Sequence, residues 1–207
     1  MLTVRLHNDA VWEKFPKQAG LSPSTREAMD KLPADWPEVE YIFNTAGPPT
    51  NTSGDTLSVG VVVLAPSSLG SVTLRSADAA DNPVVDVKWF GSKADLELGV
   101  EGLKRARLLA DATGVVVDET LPGSGVKTDV EIAEFIRSVA NPSHHAVGTC
   151  KMGRRDDETA VVDAHGCVLG GLSSLRIIDS SIMPLLVPGQ PMATVCKCES
   201  WPSQNIQ

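Results

Sequence analysis

Cysteine is scarce. The 207 residues contain four, Cys150, Cys167, Cys196 and Cys198, too few and too unevenly spaced for a disulfide scaffold. Cys196-x-Cys198 lacks the second pair or the histidines of a zinc site, so no metal is expected and the thiols read as ordinary buried or exposed side chains. Long apolar runs are missing as well. The best stretch, Leu57 to Pro66, falls short of the roughly 20 residues needed to cross a bilayer, and no membrane partner is expected. Nor is there a basic stripe that could follow a phosphate backbone. The net charge is −8, and the two basic clusters, Lys104 to Arg107 and Arg154-Arg155, are balanced by Glu101, Asp111, Asp156 and Asp157, as on a solvated helix face and a charged loop. Nucleic acid is therefore excluded as an expected partner. Met1 to His7 does not carry the basic and then apolar pattern of a signal peptide, which leaves the compartment open.

A hydrophobic content of 42% over this length is enough for one sizeable core, with one domain and a possible appendage as the starting expectation. A short helix is expected over Pro23 to Leu32, capped by Ser22 or Ser24 and stopped by Pro33. Glu38 to Phe43 reads as a strand. After a turn-rich stretch, Gly47 to Asp55, the β-branched run Leu57 to Leu64 reads as a buried strand. Val72 and Leu74 alternate with Thr73 and Arg75 as in a half-buried strand, and Val84 to Trp89 reads as a third. The short links favour antiparallel pairing, because a parallel crossover needs a dozen or more residues.

Two helices follow. Ser92 to Ala112 has apolar positions at three-to-four spacing, Ser92 as N-cap and Gly114 as stop. Thr128 to Ala140 opens on the capping-box pattern Thr128-Asp129-Val130-Glu131 and is closed by Pro142. Strands followed by helices predict an α+β fold, an antiparallel sheet covered by helices. From Asn141 the chain becomes glycine-rich and loop-like, with two short strands expected at Ala160 to Asp163 and Leu175 to Asp179. Three patterns there can carry chemistry. In Ser143-His144-His145-Ala146-Val147-Gly148-Thr149-Cys150-Lys151-Met152-Gly153, two loop histidines precede a glycine that lets backbone approach a ligand, which suits a general base but also fits a surface histidine. In Leu175 to Pro184 a strand ends at Asp179, either a hydroxyl-binding carboxylate beside small Ser180 and Ser181 or an ordinary strand and turn. Pro188-Gly189-Gln190-Pro191-Met192-Ala193-Thr194-Val195 is a tight turn that can start a helix.

Taken in order, these elements resemble the C-terminal part of the glucose-methanol-choline (GMC) family of flavin oxidoreductases. His145 to Gly153 looks like the family's HPVGT-type segment, Val161-Val162-Asp163 with Gly166 like its VVD-plus-glycine element, and Leu175 to Pro184 like its LRVVDASIMP segment. Gly189-Gln190-Pro191 falls where the family carries GHP or NP, ahead of the ATV of its last helix. Gly70 to Ser76 and Val84-Val85-Asp86 are similar to its substrate-domain strands, so the resemblance covers roughly residues 40 to 195. It implies a substrate-binding domain over 1–140, a catalytic and flavin-contacting segment over 141–195 that would complete a flavin-binding domain, and an atypical tail over 196–207.

The resemblance also implies FAD as cofactor and a small-molecule alcohol as substrate. His145 then removes the hydroxyl proton while hydride passes to the flavin, and Gln190 stands where a histidine or asparagine bonds the same oxygen. Asp179 and Ser180 match positions near the flavin's ribityl-pyrophosphate region, and Pro191 and Met192 match those beside its ring. Backbone N–H groups at the helix start favour the electron-rich end of a reducing flavin. Glutamine cannot act as a base near neutral pH, which leaves the proton to His145 alone; His144, one residue off the motif, is the lesser base candidate. Two departures stand out. No GxGxxG fingerprint of a dinucleotide-binding unit is present, implying a missing N-terminal FAD-binding domain, and Pro202 is expected to halt the last helix, as in a truncated product or fragment. The alternatives are a non-redox cyclase or lyase that uses the pocket histidines as acid and base, or an inactive binding module derived from the family.

Overall fold

The computed structural model describes residues 2–4, 21–33, 35–44, 56–171 and 174–204. Its elements form an α+β fold, the expected class, with small antiparallel sheets and four helices. The chain divides into two compact units, residues 1–69 with 88–141, and residues 70–87 with 142–207.

In the first unit, β1 (Leu2–Val4), β2 (Val39–Asn44) and β3 (Ser58–Val63) form a three-stranded antiparallel sheet in sequence order. The register sets Tyr41 opposite Leu2 on one side and Val61 on the other. Alternation along β2 sends Val39 and Tyr41 to one face, where both are fully buried with Leu98, Ala106 and Met29. Leu98 and Ala106 belong to α2 (Lys93–Asp111), the longest helix. It lies close to the sheet because Gly102 has no side chain: a Cβ there would meet Val61 Cγ1 at 2.6 Å.

Ser92 caps α2 as expected, its hydroxyl accepting from the Asp95 N–H at 3.1 Å. Asp95 in turn is buried and accepts from the N–H groups of Ser67 and Ser68 and from the Ser67 hydroxyl. Burial pushes its carboxyl up, but these bonds outweigh burial and hold it below the usual range. The shorter helix α1 (Pro23–Met29) ends three residues before the expected Leu32, because the chain tightens there: the Leu32 N–H reaches back only to the Met29 carbonyl, just ahead of Pro33. Neither serine hydroxyl caps its backbone. Instead Glu97 of α2 accepts from the Ser22 N–H at 3.0 Å and the Thr25 hydroxyl at 2.7 Å. Burial raises that carboxyl, yet the bonds from Thr25 and Ser22 win and bring it to about 2. Helix α3 (Asp129–Val139) shows the full capping box between Thr128 and Glu131 and packs Ile132, Ala133 and Ile136 with Val100 of α2.

The second unit contains a hairpin, β4 (Ser71–Thr73) and β5 (Val84–Asp86), with Val72 opposite Val85. Three expectations fail around it. The hairpin is a sheet of its own and does not extend the one that ends at β3. Val72 is 50% exposed and Leu74 86% exposed, so the alternating face is not half-buried. The strand expected to reach Trp89 stops at Asp86, because Lys88 and Phe90 take left-handed backbone angles, φ 46° and 52°, that no strand continues through. Farther on, the two expected strands reduce to single bridges, Met152 with Val162, Val162 with Val168 and Cys167 with Arg176. Asp163 explains the interruption: its carboxylate accepts from the N–H groups of His165 and Cys167 and turns the chain. The last helix, α4 (Met192–Gln204), runs two residues past Pro202. Proline removes one i to i−4 bond without forbidding the rest, and here it sits in the final turn, where a single bond is lost. No helix among the described residues is long and apolar enough to cross a membrane.

Candidate active site

Two loops and the start of α4 build one cavity inside the second unit. The first loop follows Pro142 and carries His144 and His145. It is pinned from behind: the Cys150 N–H donates to the Ser181 carbonyl at 2.9 Å and the Met152 N–H to the Ile182 carbonyl at 2.8 Å. Gly148 bends the loop with φ +87°, and its missing side chain leaves the Met183 carbonyl 3.5 Å from where a Cβ would stand. Downstream, the Lys151 ammonium donates to Asp157 at 2.7 Å and to the Thr159 hydroxyl at 2.6 Å. The hydrogen bond from Lys151, with those from Thr159, holds the Asp157 carboxyl well below the ordinary carboxylate range.

The second loop carries a single 3-10 turn, Ser180–Ile182, whose N-cap is Asp179. The Asp179 carboxylate accepts from the Ser181 N–H at 2.8 Å, and bonds from the Ser181 side chain and backbone lower its carboxyl. Ile182 and Met183 are buried, so this turn is anchored by apolar packing on one side and by a cap on the other. The third wall begins at Gly189, which is buried with φ +78°, and passes through Gln190 and Pro191 into α4.

The cavity enclosed by these segments has a volume of about 320 Å3. His145, Gln190, Ser180, Pro191 and Met192 all line it. His145 Nε2 lies 3.1 Å from Gln190 Oε1, a hydrogen bond across 45 positions of sequence. Asp179 is the one predicted site residue outside the lining; its carboxylate is spent on the turn that presents Ser180. Residues that sequence reasoning set aside or missed also line the cavity. His144 does so with a left-handed backbone, φ 60°, which is uncommon for a residue other than glycine. Val195 and Cys196 add the next turn of α4. Their spacing from Pro191 and Met192, four residues in each case, puts all four on one helix face, a signal that was available in the sequence once a helix was expected there. Ala146 and Val147 complete the apolar lining. Among the described residues, no group of three histidine, cysteine or acidic side chains could hold a metal ion.

The architecture is that of an α+β module whose loops and last helix place a histidine–amide pair in a small, largely apolar cavity. The family model described as GMC oxidoreductase matches residues 66–197, and the chain belongs to that family. A glucose methanol choline oxidoreductase, atC, of Aspergillus terreus is 42% identical over 189 residues, which cover 89% of this chain and 31% of that protein. Among solved structures, pyridoxine 4-oxidase from Mesorbium loti superposes with a TM-score of 0.69 at 28% identity, over 82% of this chain and 34% of the other. An FAD-dependent oxidoreductase from Chaetomium thermophilum does so with a TM-score of 0.64 at 29% identity, over 72% of this chain and 26% of the other. The chain spans about a third of the length of the curated relatives it matches.

Proposed function

We propose that this chain is the substrate-side portion of an FAD-dependent GMC oxidoreductase that oxidises the CH–OH group of a small-molecule alcohol, with His145 as the base. The observation that carries the reading is the His145–Gln190 pair in a cavity whose other lining residues are mostly apolar. An alcohol bound in this cavity brings its hydroxyl to the imidazole of His145, a group able to take its proton. Residues 1–140 form the substrate-binding part, 141–195 the segment that carries the base, and 196–207 the tail; the hairpin of residues 70–87 groups with the second of these by its contacts.

The residues fit one end of a flavin. A cavity of about 320 Å3 has room for a single ring system and none for a whole dinucleotide, being at the low end of the roughly 300–1,000 Å3 of small-molecule sites. Pro191 and Met192 would lie against the ring, and Ser180, on the turn capped by Asp179, would face the more polar part. The first-turn N–H groups of α4 have no partner within the helix and favour electron-rich atoms. When bound, FAD supplies a two-electron oxidant for the alcohol carbon. His145 accepts the hydroxyl proton, and Gln190 holds the imidazole in place. The adenosine and pyrophosphate need a further FAD-binding domain, and the exposed Val72, Leu74 and Val85 of the hairpin support an apolar surface covered by other parts of such an enzyme.

In the flavin-loaded enzyme that carries this chain, His145→Ala lowers the rate of anaerobic flavin bleaching by an alcohol about 10²- to 10⁴-fold, the usual contribution of a positioned base. Bleaching at an unchanged rate removes His145 from the reaction. If a panel of primary, secondary and benzylic alcohols fails to bleach the unsubstituted enzyme, the alcohol-oxidising reading falls.

A further inference from the structure

The hairpin of the second unit is amphipathic, and its apolar face stands open. The register sets Val72 opposite Val85 and puts Ser71 and Thr73, with their partners Asp86 and Val84, on the other side. Leu74 and Val87 lie two positions on from Val72 and Val85, so they fall on the same face as those two. That face is apolar throughout, and in the order Val72, Leu74, Val85 and Val87 its side chains are 50%, 86%, 60% and 48% exposed. The opposite face is polar apart from Val84. The far end of the arm is closed by its own hydrogen bonds. Arg75 Nε donates to the Asn82 carbonyl at 3.2 Å and the Ser76 hydroxyl to the Asp81 carboxylate at 2.6 Å, while the Asp78 carboxylate accepts from the Ala80 N–H at 2.9 Å. The face is therefore presented on a preformed arm.

Two facts point to what covers it. This chain covers 31% of atC, so more than two thirds of such an enzyme lies outside it. The cavity of the second unit has room for one ring system, so the rest of a dinucleotide is held by that outside portion, which must reach the unit to which the hairpin belongs. We propose that the apolar face of the hairpin, formed by Val72, Leu74, Val85 and Val87, is the surface on which the FAD-binding part of the enzyme docks, with the face of Ser71, Thr73 and Asp86 left in water. The inference rests on the reading of this chain as the substrate-side portion of an FAD-dependent enzyme. A two-stranded hairpin is marginal in water by itself. Docking removes from water the apolar side chains that the hairpin leaves exposed, and an arm already closed by its own bonds loses little freedom in the process.

Hydroxyl-radical footprinting read by mass spectrometry tests the proposal, comparing this chain alone with the flavin-loaded enzyme that carries it. In the chain alone, Leu74 and Val85 are oxidised readily at every protein concentration. In the enzyme their labelling falls at least about fivefold, as at the water-free centre of an interface, while that of Val84, 42% exposed on the opposite face, stays within about twofold. The double substitution Leu74→Glu with Val85→Glu leaves the thermal midpoint of the chain within about 2 °C, because both positions face water there. In the enzyme it raises the rate of FAD loss at least about tenfold, because a carboxylate enclosed in an apolar contact loses its hydration. Thr73→Glu, on the polar face, changes neither. If the doubly substituted enzyme does not accumulate, the footprint of the unsubstituted enzyme decides alone. Leu74 and Val85 labelled alike in enzyme and chain overturn the proposal, and so does an equal loss of labelling at Val84. Labelling that falls in the chain alone as its concentration rises assigns the face to a second copy and also overturns it. An enzyme with the expected footprint that bleaches with no alcohol keeps the docking face and loses the alcohol-oxidising function, whereas an active enzyme with Leu74 still labelled as in the chain does the reverse.

Discussion

The two units of this chain are held together by different forces. In the first, Val39, Tyr41, Leu98 and Ile132 are wholly or almost wholly removed from water, and both clusters of buried apolar side chains found among the described residues belong to it. In the second, Val162, Ile182, Met183 and Pro191 are the buried apolar side chains larger than alanine among the described residues, and the backbone is shaped by carboxylates that accept from N–H groups two to four residues away: Asp157, Asp163 and Asp179. The candidate site lies in the unit with little core. Apolar burial fixes where helices and strands pack but leaves backbone loops poorly specified, whereas short polar closures set the direction of individual loop residues. A site made of His145, Ser180 and Gln190 on three separate turns needs the second kind of control.

Substitutions that attack each kind of control test the comparison. The largest effect on stability is expected from Leu98→Ala, which empties a fully buried position between α2 and the sheet and costs about 2–5 kcal/mol. Chemical denaturation of the chain measures it, and a cost below about 1 kcal/mol would mean that this core does not carry the first unit. In the second unit, Asp163→Ala removes the acceptor for two N–H groups that stay half-exposed to water and costs less, about 1 kcal/mol. Its effect should be local: amide exchange at His165 and Cys167 accelerates, while that at Leu98 stays unchanged. Loss of protection throughout the chain would break the distinction between the two kinds of control.

The smallest effect is a pH dependence. The carboxyls of Asp157, Asp163 and Asp179 lie below their ordinary value in the folded chain. For Asp157 and Asp179 the first cause is a side-chain hydrogen bond, from Lys151 and Ser181 respectively; for Asp163 burial acts in the opposite direction and the backbone bonds from His165 and Cys167 outweigh it. A group whose folded value is depressed stabilises the fold fully above its unfolded value, about 3.9 for aspartate, and loses that contribution as the pH falls through the folded value. Amide protection at Thr159, Cys167 and Ser181 is therefore constant above about pH 5 and declines on acidification toward about pH 2. Protection that rises on acidification would reverse the sign and remove the carboxylates as the source of loop order.

The regular elements of the first unit were largely legible in the sequence because their causes are local. Thr128 and Glu131 announce a capping box, Ser92 caps α2, and the β-branched run of β3 leaves little choice but a strand. The errors fell where tertiary or left-handed backbone decided. Val72 and Leu74 alternate like a half-buried strand, yet alternation says only which side chains share a face and not whether anything covers it. Lys88 and Phe90 carry no signal of positive φ, so the end of β5 was unreadable. In the site, the order of motifs brought His145, Ser180, Gln190, Pro191 and Met192 to notice. Asp179, singled out with them, lies outside the cavity lining and its carboxylate accepts from the Ser181 N–H.

The sequence by itself determined the family, the α+β class, the capped helices and the side chains available for chemistry, since each follows from residue types at short spacings. The tertiary structure alone decided that His144 shares a cavity with the base, that the hairpin forms a sheet of its own, and that the Gln190 side chain meets the His145 ring. The last is a contact of 3.1 Å between side chains 45 positions apart. No local rule of spacing encodes it; it exists only once the turns capped by Asp179 and bent at Gly148 and Gly189 have been closed.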